Sequence, residues 1–113
     1  MYKIHWSLPA RADLRTIFHY YSHELEDGSA QLAQDILKRI IFPTGQLSTL
    51  PFTGRLGVIS GTRELLADKA PYLIIFRIGE QDQRVDISRV IHTSGLATIA
   101  LASLGPLSSQ DPQ

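Results

Sequence analysis

The stretch that most constrains the fold is Tyr72-Leu73-Ile74-Ile75-Phe76-Arg77-Ile78, which is apolar at six of its seven positions. A segment that buries both faces reads as a central strand, because a surface strand alternates apolar with polar residues. It is far short of the roughly 20 residues a membrane-crossing helix needs. Its neighbours are legible on either side. Thr62 to Leu66 reads as a short strand. Gly79 to Gln83 turns the chain into Arg84–His92, which alternates as another. Tyr2 to Ser7 is a short first strand, with either Tyr2, Ile4 and Trp6 or Lys3 and His5 facing the core. Between them, Pro51 to Gly61 carries three glycines and a proline and reads as a loop.

Cover for this sheet comes from two amphipathic segments. Ser7-Leu8-Pro9 is a helix start, a capping serine followed by a proline in the first turn. From Ala10 to Leu25, residues Leu14, Ile17, Phe18, Tyr21 and Leu25 recur at helical spacing. Glu26 to Ser29 turns the chain, and Ser29 or Asp27 caps a second helix from about Ala30 with Ala33, Ile36, Leu37, Ile40 and Ile41 on one stripe. Pro43 and Gly45 predict a kink or break, with Leu47 and Leu50 continuing the spacing until Pro51. The expected fold is α+β in the order β-α-α-β-β-β: a helical hairpin packed on one face of a small, mostly antiparallel sheet.

With 113 residues the chain has room for one compact domain. That domain is expected over residues 1–94. A tail follows over 95–113, small and apolar from Gly95 to Leu104 as for a short helix, then polar and loose from Leu107. A content of 43% hydrophobic and 19% charged residues is ordinary for a soluble globular protein. The absence of cysteine excludes disulfides, thiolate chemistry and cysteine-type zinc sites. The N-terminus lacks the apolar segment of a signal peptide, so a cytoplasmic protein is expected, with no membrane partner. The net charge is +0. A domain that tracks phosphates usually carries a basic excess, although a neutral total can conceal a local cluster.

Three arginines stand out by parity, since residues two apart in a strand share a face. Arg77 falls in with Leu73 and Ile75, Arg89 with Val85, Ile87 and Ile91, and Arg63 with Leu65. A guanidinium in apolar company lines a groove or pairs with a carboxylate, because burying it alone is costly. One reading is internal pairing with Glu64, Asp86 or Asp68; the other is a cationic cleft for a phosphate or an acidic peptide. His92, at the end of the last strand, is placed where it can act as a general acid or base, or serve a structural role. His19 and His23 lie four apart on one helix face, but no third metal ligand is placed and no HExxH pattern is present, so no metal is expected. The glycines of Gly54-Arg55-Leu56-Gly57 and Gly61 match no phosphate loop, and no cofactor is expected.

The order of motifs resembles the RelE/ParE toxin superfamily. Ala12-Asp13-Leu14 leads into a helix with Ile17 and Tyr20-Tyr21, and the second helix closes on Leu50-Pro51-Phe52-Thr53-Gly54-Arg55. Three blocks follow: Gly61 to Leu65, Pro71 to Arg77, and Ile87 to Ser94. The resemblance covers about residues 2 to 94 and implies the toxin of a type II toxin–antitoxin system, neutralised by a cognate antitoxin. Two activities occur among such toxins. The threonine–arginine–glutamate–leucine and proline–tyrosine blocks look more ParE-like, which implies poisoning of DNA gyrase without a hydrolytic site. The alternative is a RelE-like endonuclease that cleaves messenger RNA on the ribosome. In that case Arg63, Arg77, Arg89 and His92 are the catalytic candidates: arginines to stabilise the phosphate and the histidine to move a proton. A binding module that kept the fold without toxicity is a third reading. The chain departs from the family pattern after Ser94, where Gly95 and an apolar stretch replace the usual arginine and short end; a homodimer through this tail is the corresponding expectation.

Overall fold

The computed structural model describes residues 1–95, so the expected tail helix and tail-mediated dimer lie outside the described residues. Five strands and two α-helices follow in order: β1 (Lys3–Trp6), α1 (Leu8–His19), a π-helical turn (Tyr20–Glu24), α2 (Ala30–Gly45), β2 (Arg55–Leu56), β3 (Arg63–Leu66), β4 (Tyr72–Gly79) and β5 (Arg84–His92). They form one sheet in the order β1-β5-β4-β3-β2. β1 runs parallel to β5, and the other neighbours are antiparallel. A parallel pair needs a long crossover, which here is everything between the first and last strands. β4 sits in the middle with Tyr72 through Phe76 all buried. Tyr72, Ile74 and Phe76 join Ala10 and Ile17 of α1, Ile36 and Ile40 of α2, and Val85, Ile87 and Val90 of β5 in the core.

Both helices start on serines. Ser7 Oγ accepts from the Ala10 amide at 3.1 Å, and Ser29 Oγ accepts from the Leu32 amide at 3.0 Å. The first helix does not continue regularly to Leu25 as expected; it widens at Tyr20, whose carbonyl accepts from the Leu25 amide at 3.0 Å. The expected break at Pro43 is absent, and α2 runs through it to Gly45. Proline cannot donate to the carbonyl four residues back, here that of Arg39. That carbonyl accepts instead from the Asp68 amide at 2.8 Å, so the helix leaves no acceptor unsatisfied there.

Two further differences concern the sheet. The loop expected from Pro51 to Gly61 contains β2, a strand of two residues, too short for any alternation to reveal. On β5, Ile75 opposes Arg89 while Phe76 opposes Ile87, so Ser88 has no partner. This bulge shifts the parity: Val85, Ile87 and Val90 are buried, and Arg89 is exposed rather than sharing their face.

Candidate functional site

β1 pairs with β5 only as far as Ile87, which would leave the rest of that edge bare. The start of α1 takes over. Ser7 donates its backbone amide to the Ile87 carbonyl at 3.0 Å and its hydroxyl to the Ser88 carbonyl at 3.0 Å. Further along α1, Asp13 accepts from the Val90 amide at 2.8 Å and from Arg89 twice, at 2.7 Å through Nε and 3.0 Å through Nη2. The hydrogen bond to Asp13 raises the Arg89 pKa above its ordinary value, while partial burial pulls the other way. Arg89 is therefore a fixed cation whose charge is already answered.

Past Asp13 the edge opens into a cleft of about 500 Å³ between α1, the π-helical turn and β5. Along a strand, alternate residues turn their backbone groups to the same edge. The Val90 amide faces α1, so the backbone of His92 faces the cleft, whereas the Thr93 amide turns back to the Pro71 carbonyl at 2.9 Å. One wall is a chain of rings. His92 stands edge-on to Tyr72 at 5.4 Å, Tyr72 to Tyr21 at 6.5 Å, and Tyr21 to Tyr20 at 5.0 Å. Tyr72 donates its hydroxyl to that of Tyr21 at 3.3 Å. Burial, then this hydrogen bond, pushes the Tyr72 pKa well above the ordinary tyrosine value, so it is a neutral phenol and a poor base. His92 Nδ1 accepts from the Ser94 amide at 3.1 Å, which places the proton of the neutral ring on Nε2. Glycine at 28 lets the chain close behind the turn, because a Cβ there would collide with the Tyr21 carbonyl oxygen.

The remaining candidates lie elsewhere. Directly opposed residues of an antiparallel pair share a face, so Arg63, opposite Phe76, and Arg77, opposite Asp86, are on opposite faces of the sheet. Arg63 donates to the carbonyl of Gly54 at 2.9 Å and lies over the Phe52 ring at 5.4 Å. Arg77 reaches the Ser60 carbonyl at 3.3 Å. The three arginines thus do not line one cleft, and only Arg89 and His92 meet there. None of the anticipated carboxylates pairs with them: Glu64 holds Arg55, Asp86 holds Arg84, and Asp68 contributes its amide to α2. His19 and His23 stack at 5.0 Å, with His19 Nε2 at 3.4 Å from Glu24. Among the described residues no group of three or more His, Cys, Asp or Glu is placed to hold a metal.

Asp13 is the residue that sequence reasoning missed, and a signal existed. It stands three residues after Ala10 and four before Ile17, both buried, so it lies along the inward stripe of α1. A carboxylate on that stripe demands a cation or amide, here from a residue 76 positions away.

Comparison with known proteins agrees with this geometry. Residues 4–96 match the family model described as the ParE toxin of the type II toxin–antitoxin system parDE. The chain is 33% identical over 90 residues to the putative toxin Y4kP of Sinorhizobium fredii, covering 80% of this chain and 86% of the relative. Among solved structures it resembles a chain of the chromosomal ParDE toxin–antitoxin system of P. aeruginosa, with a TM-score of 0.68 and 23% identity over 81% of this chain and 96% of that one. The isolated E. coli RelE toxin is more distant, with a TM-score of 0.51 and 11% identity over 92% of this chain and 99% of that one.

Proposed function

Since this chain belongs to the ParE toxin family of type II toxin–antitoxin systems, we propose that it arrests growth by poisoning DNA gyrase and that a cognate antitoxin neutralises it. The observation that carries the choice of gyrase over messenger RNA is the state of Arg89. Phosphoryl chemistry needs cations free to meet charge that develops on the phosphate. In the cleft, Arg89 is held by both oxygens of Asp13, and Glu24 adds a second carboxylate to the wall. Arg63 and Arg77 lie outside the cleft and donate to backbone carbonyls. A phosphate approaching His92 would meet more negative than positive charge. Such a cleft suits a polypeptide: the outward backbone groups of His92 offer pairing to an extended segment, and the tyrosines offer rings with polar tips. The antitoxin is proposed to occupy this seam, in the cytoplasm where both proteins are made.

The test follows labelled thymidine and labelled methionine incorporation side by side after induction in bacteria, with inhibition of supercoiling by purified gyrase as the direct assay. Early loss of DNA synthesis with protein synthesis persisting is the expected result. Early collapse of protein synthesis would return the function to RNA cleavage and make Arg63, Arg77, Arg89 and His92 the residues to vary.

A further inference from the structure

We propose that the lobe carried by β2 and β3, far along the sheet from the antitoxin cleft, is the face with which this toxin grips its target, and that the target presents an apolar pocket rimmed by carboxylates. The proposal rests on the reading of gyrase as that target. At this end of the molecule Leu56, 76% exposed, and Phe52, 51% exposed, line one shallow hollow together with Arg63 and Ile78, and Val58, two residues beyond Leu56, is 47% exposed. Isolated exposed leucines are ordinary, but a group of them on a built support is not.

The support is specific. Glu64 is 3% exposed, and its carboxylate accepts from Arg55 Nε at 3.0 Å and from the Val58 amide at 3.0 Å. Gly57 donates to the Thr62 carbonyl at 2.8 Å, and Thr62 donates its hydroxyl to the Ile59 carbonyl at 2.6 Å. Arg77 reaches over Gly61 to the Ser60 carbonyl; at φ +80° that position favours glycine, since a side chain there would be strained. Burying a carboxylate costs free energy, and exposed leucine and valine return none of it to the isolated domain. What the arrangement does provide is a loop ordered before binding, which lowers the entropic cost of association.

Charge names the partner's chemistry. Residues 52–66 carry Arg55 and Arg63 against Glu64, and Arg77 reaches their loop at the Ser60 carbonyl from the other face of the sheet, so the lobe is net positive in a chain whose formal total is +0. A second copy is a poor occupant, because a two-fold contact would set this excess against itself. An apolar pocket with an acidic rim answers both features.

The experiment compares the wild-type chain with Leu56→Asp, Arg77→Glu and a control, Phe42→Asp, which alters an exposed apolar residue on α2 that lines a separate hollow from that of Phe52 and Leu56. Each is scored for growth arrest on induction, inhibition of purified gyrase, melting temperature and sedimentation. Leu56→Asp should need at least about tenfold more protein to inhibit, roughly the loss expected from one buried anchor, with melting unchanged because the side chain is exposed. Arg77→Glu should weaken inhibition by a smaller factor, and Phe42→Asp should match wild type. A folded Leu56→Asp that arrests growth and inhibits gyrase like wild type overturns the lobe as target face. So does a wild-type dimer that Leu56→Asp abolishes, which would assign the lobe to a second copy. Should Leu56→Asp unfold, Leu56→Ser is judged by the same criteria. A wild-type chain that arrests growth without touching gyrase overturns the gyrase reading instead; growth arrest then judges the lobe, with Leu56→Asp expected to be inactive. A wild-type chain with neither effect overturns both.

Discussion

Asp13 and Glu64 each accept an arginine and a backbone amide, yet they hold together very different parts of the molecule. Asp13 joins α1 to β5 across 76 residues of sequence, and the seam it closes leads straight into the core. Glu64 joins β3 to β2 across 9 residues, and the lobe it supports displays apolar side chains to solvent. Closing a long loop costs more chain entropy than closing a short one, though only slowly with length. The seam contact therefore sits where its loss is felt throughout the domain. The lobe contact sits where its loss stays local. The same chemical device stabilises the fold in one place and shapes a surface in the other.

The largest effect expected from this contrast is that of Asp13→Ala. It removes a bidentate charge-assisted pair and leaves the Val90 amide without its acceptor, a loss of about 2–3 kcal/mol. Urea denaturation at neutral pH checks it, with Asp13→Asn recovering part of the loss through the retained carbonyl. A cost below about 1 kcal/mol, the worth of an ordinary hydrogen bond, would mean that apolar packing alone holds α1 on β5. Glu64→Gln should cost less, about 1 kcal/mol, because one acceptor survives and Arg55 is free to return to water. Its clearer mark should be faster hydrogen exchange at the Val58 amide while amides of β4 keep their protection. Equal global losses from the two substitutions would erase the distinction between seam and lobe.

Much of the fold was legible because it rests on periodicity. The run from Tyr72 to Phe76 announced the central strand, the helical stripes announced the hairpin, and Ser7 and Ser29 announced where the helices begin. What escaped depends on partners remote in sequence. The continuity of α2 through Pro43 needed the Asp68 amide, 29 residues beyond the carbonyl it satisfies at Arg39. The face of Arg89 needed the bulge at Ser88, which no alternation rule anticipates because a single extra residue reverses it. With parity broken there, the three arginines could not be placed on one side by counting. β2 escaped for a different reason: two residues are too few to alternate, and they form a strand by pairing with Arg63 and Glu64, while Glu64 and Thr62 bind the chain that follows.

The smallest expected effect separates seam from lobe by pH. The Tyr72 hydroxyl lies in the seam, and its pKa is raised, first by burial and then by its bond to Tyr21. A raised pKa means that the folded chain holds a proton the unfolded chain releases. Stability from this group is therefore fully present below the ordinary tyrosine value of about 10 and is lost as pH rises above it. Tyr72→Phe deletes one partly buried hydrogen bond, costing about 0.5–1 kcal/mol at neutral pH. It should also make the decline of stability above pH ~10 shallower than in wild type, as urea midpoints at successive pH values would read. The lobe carries no tyrosine between Phe52 and Leu66, so Leu56→Asp should leave that alkaline slope as it is. If Tyr72→Phe declines as steeply as wild type, the phenol titrates with the chain folded, and the ring wall of the cleft is looser than its geometry indicates.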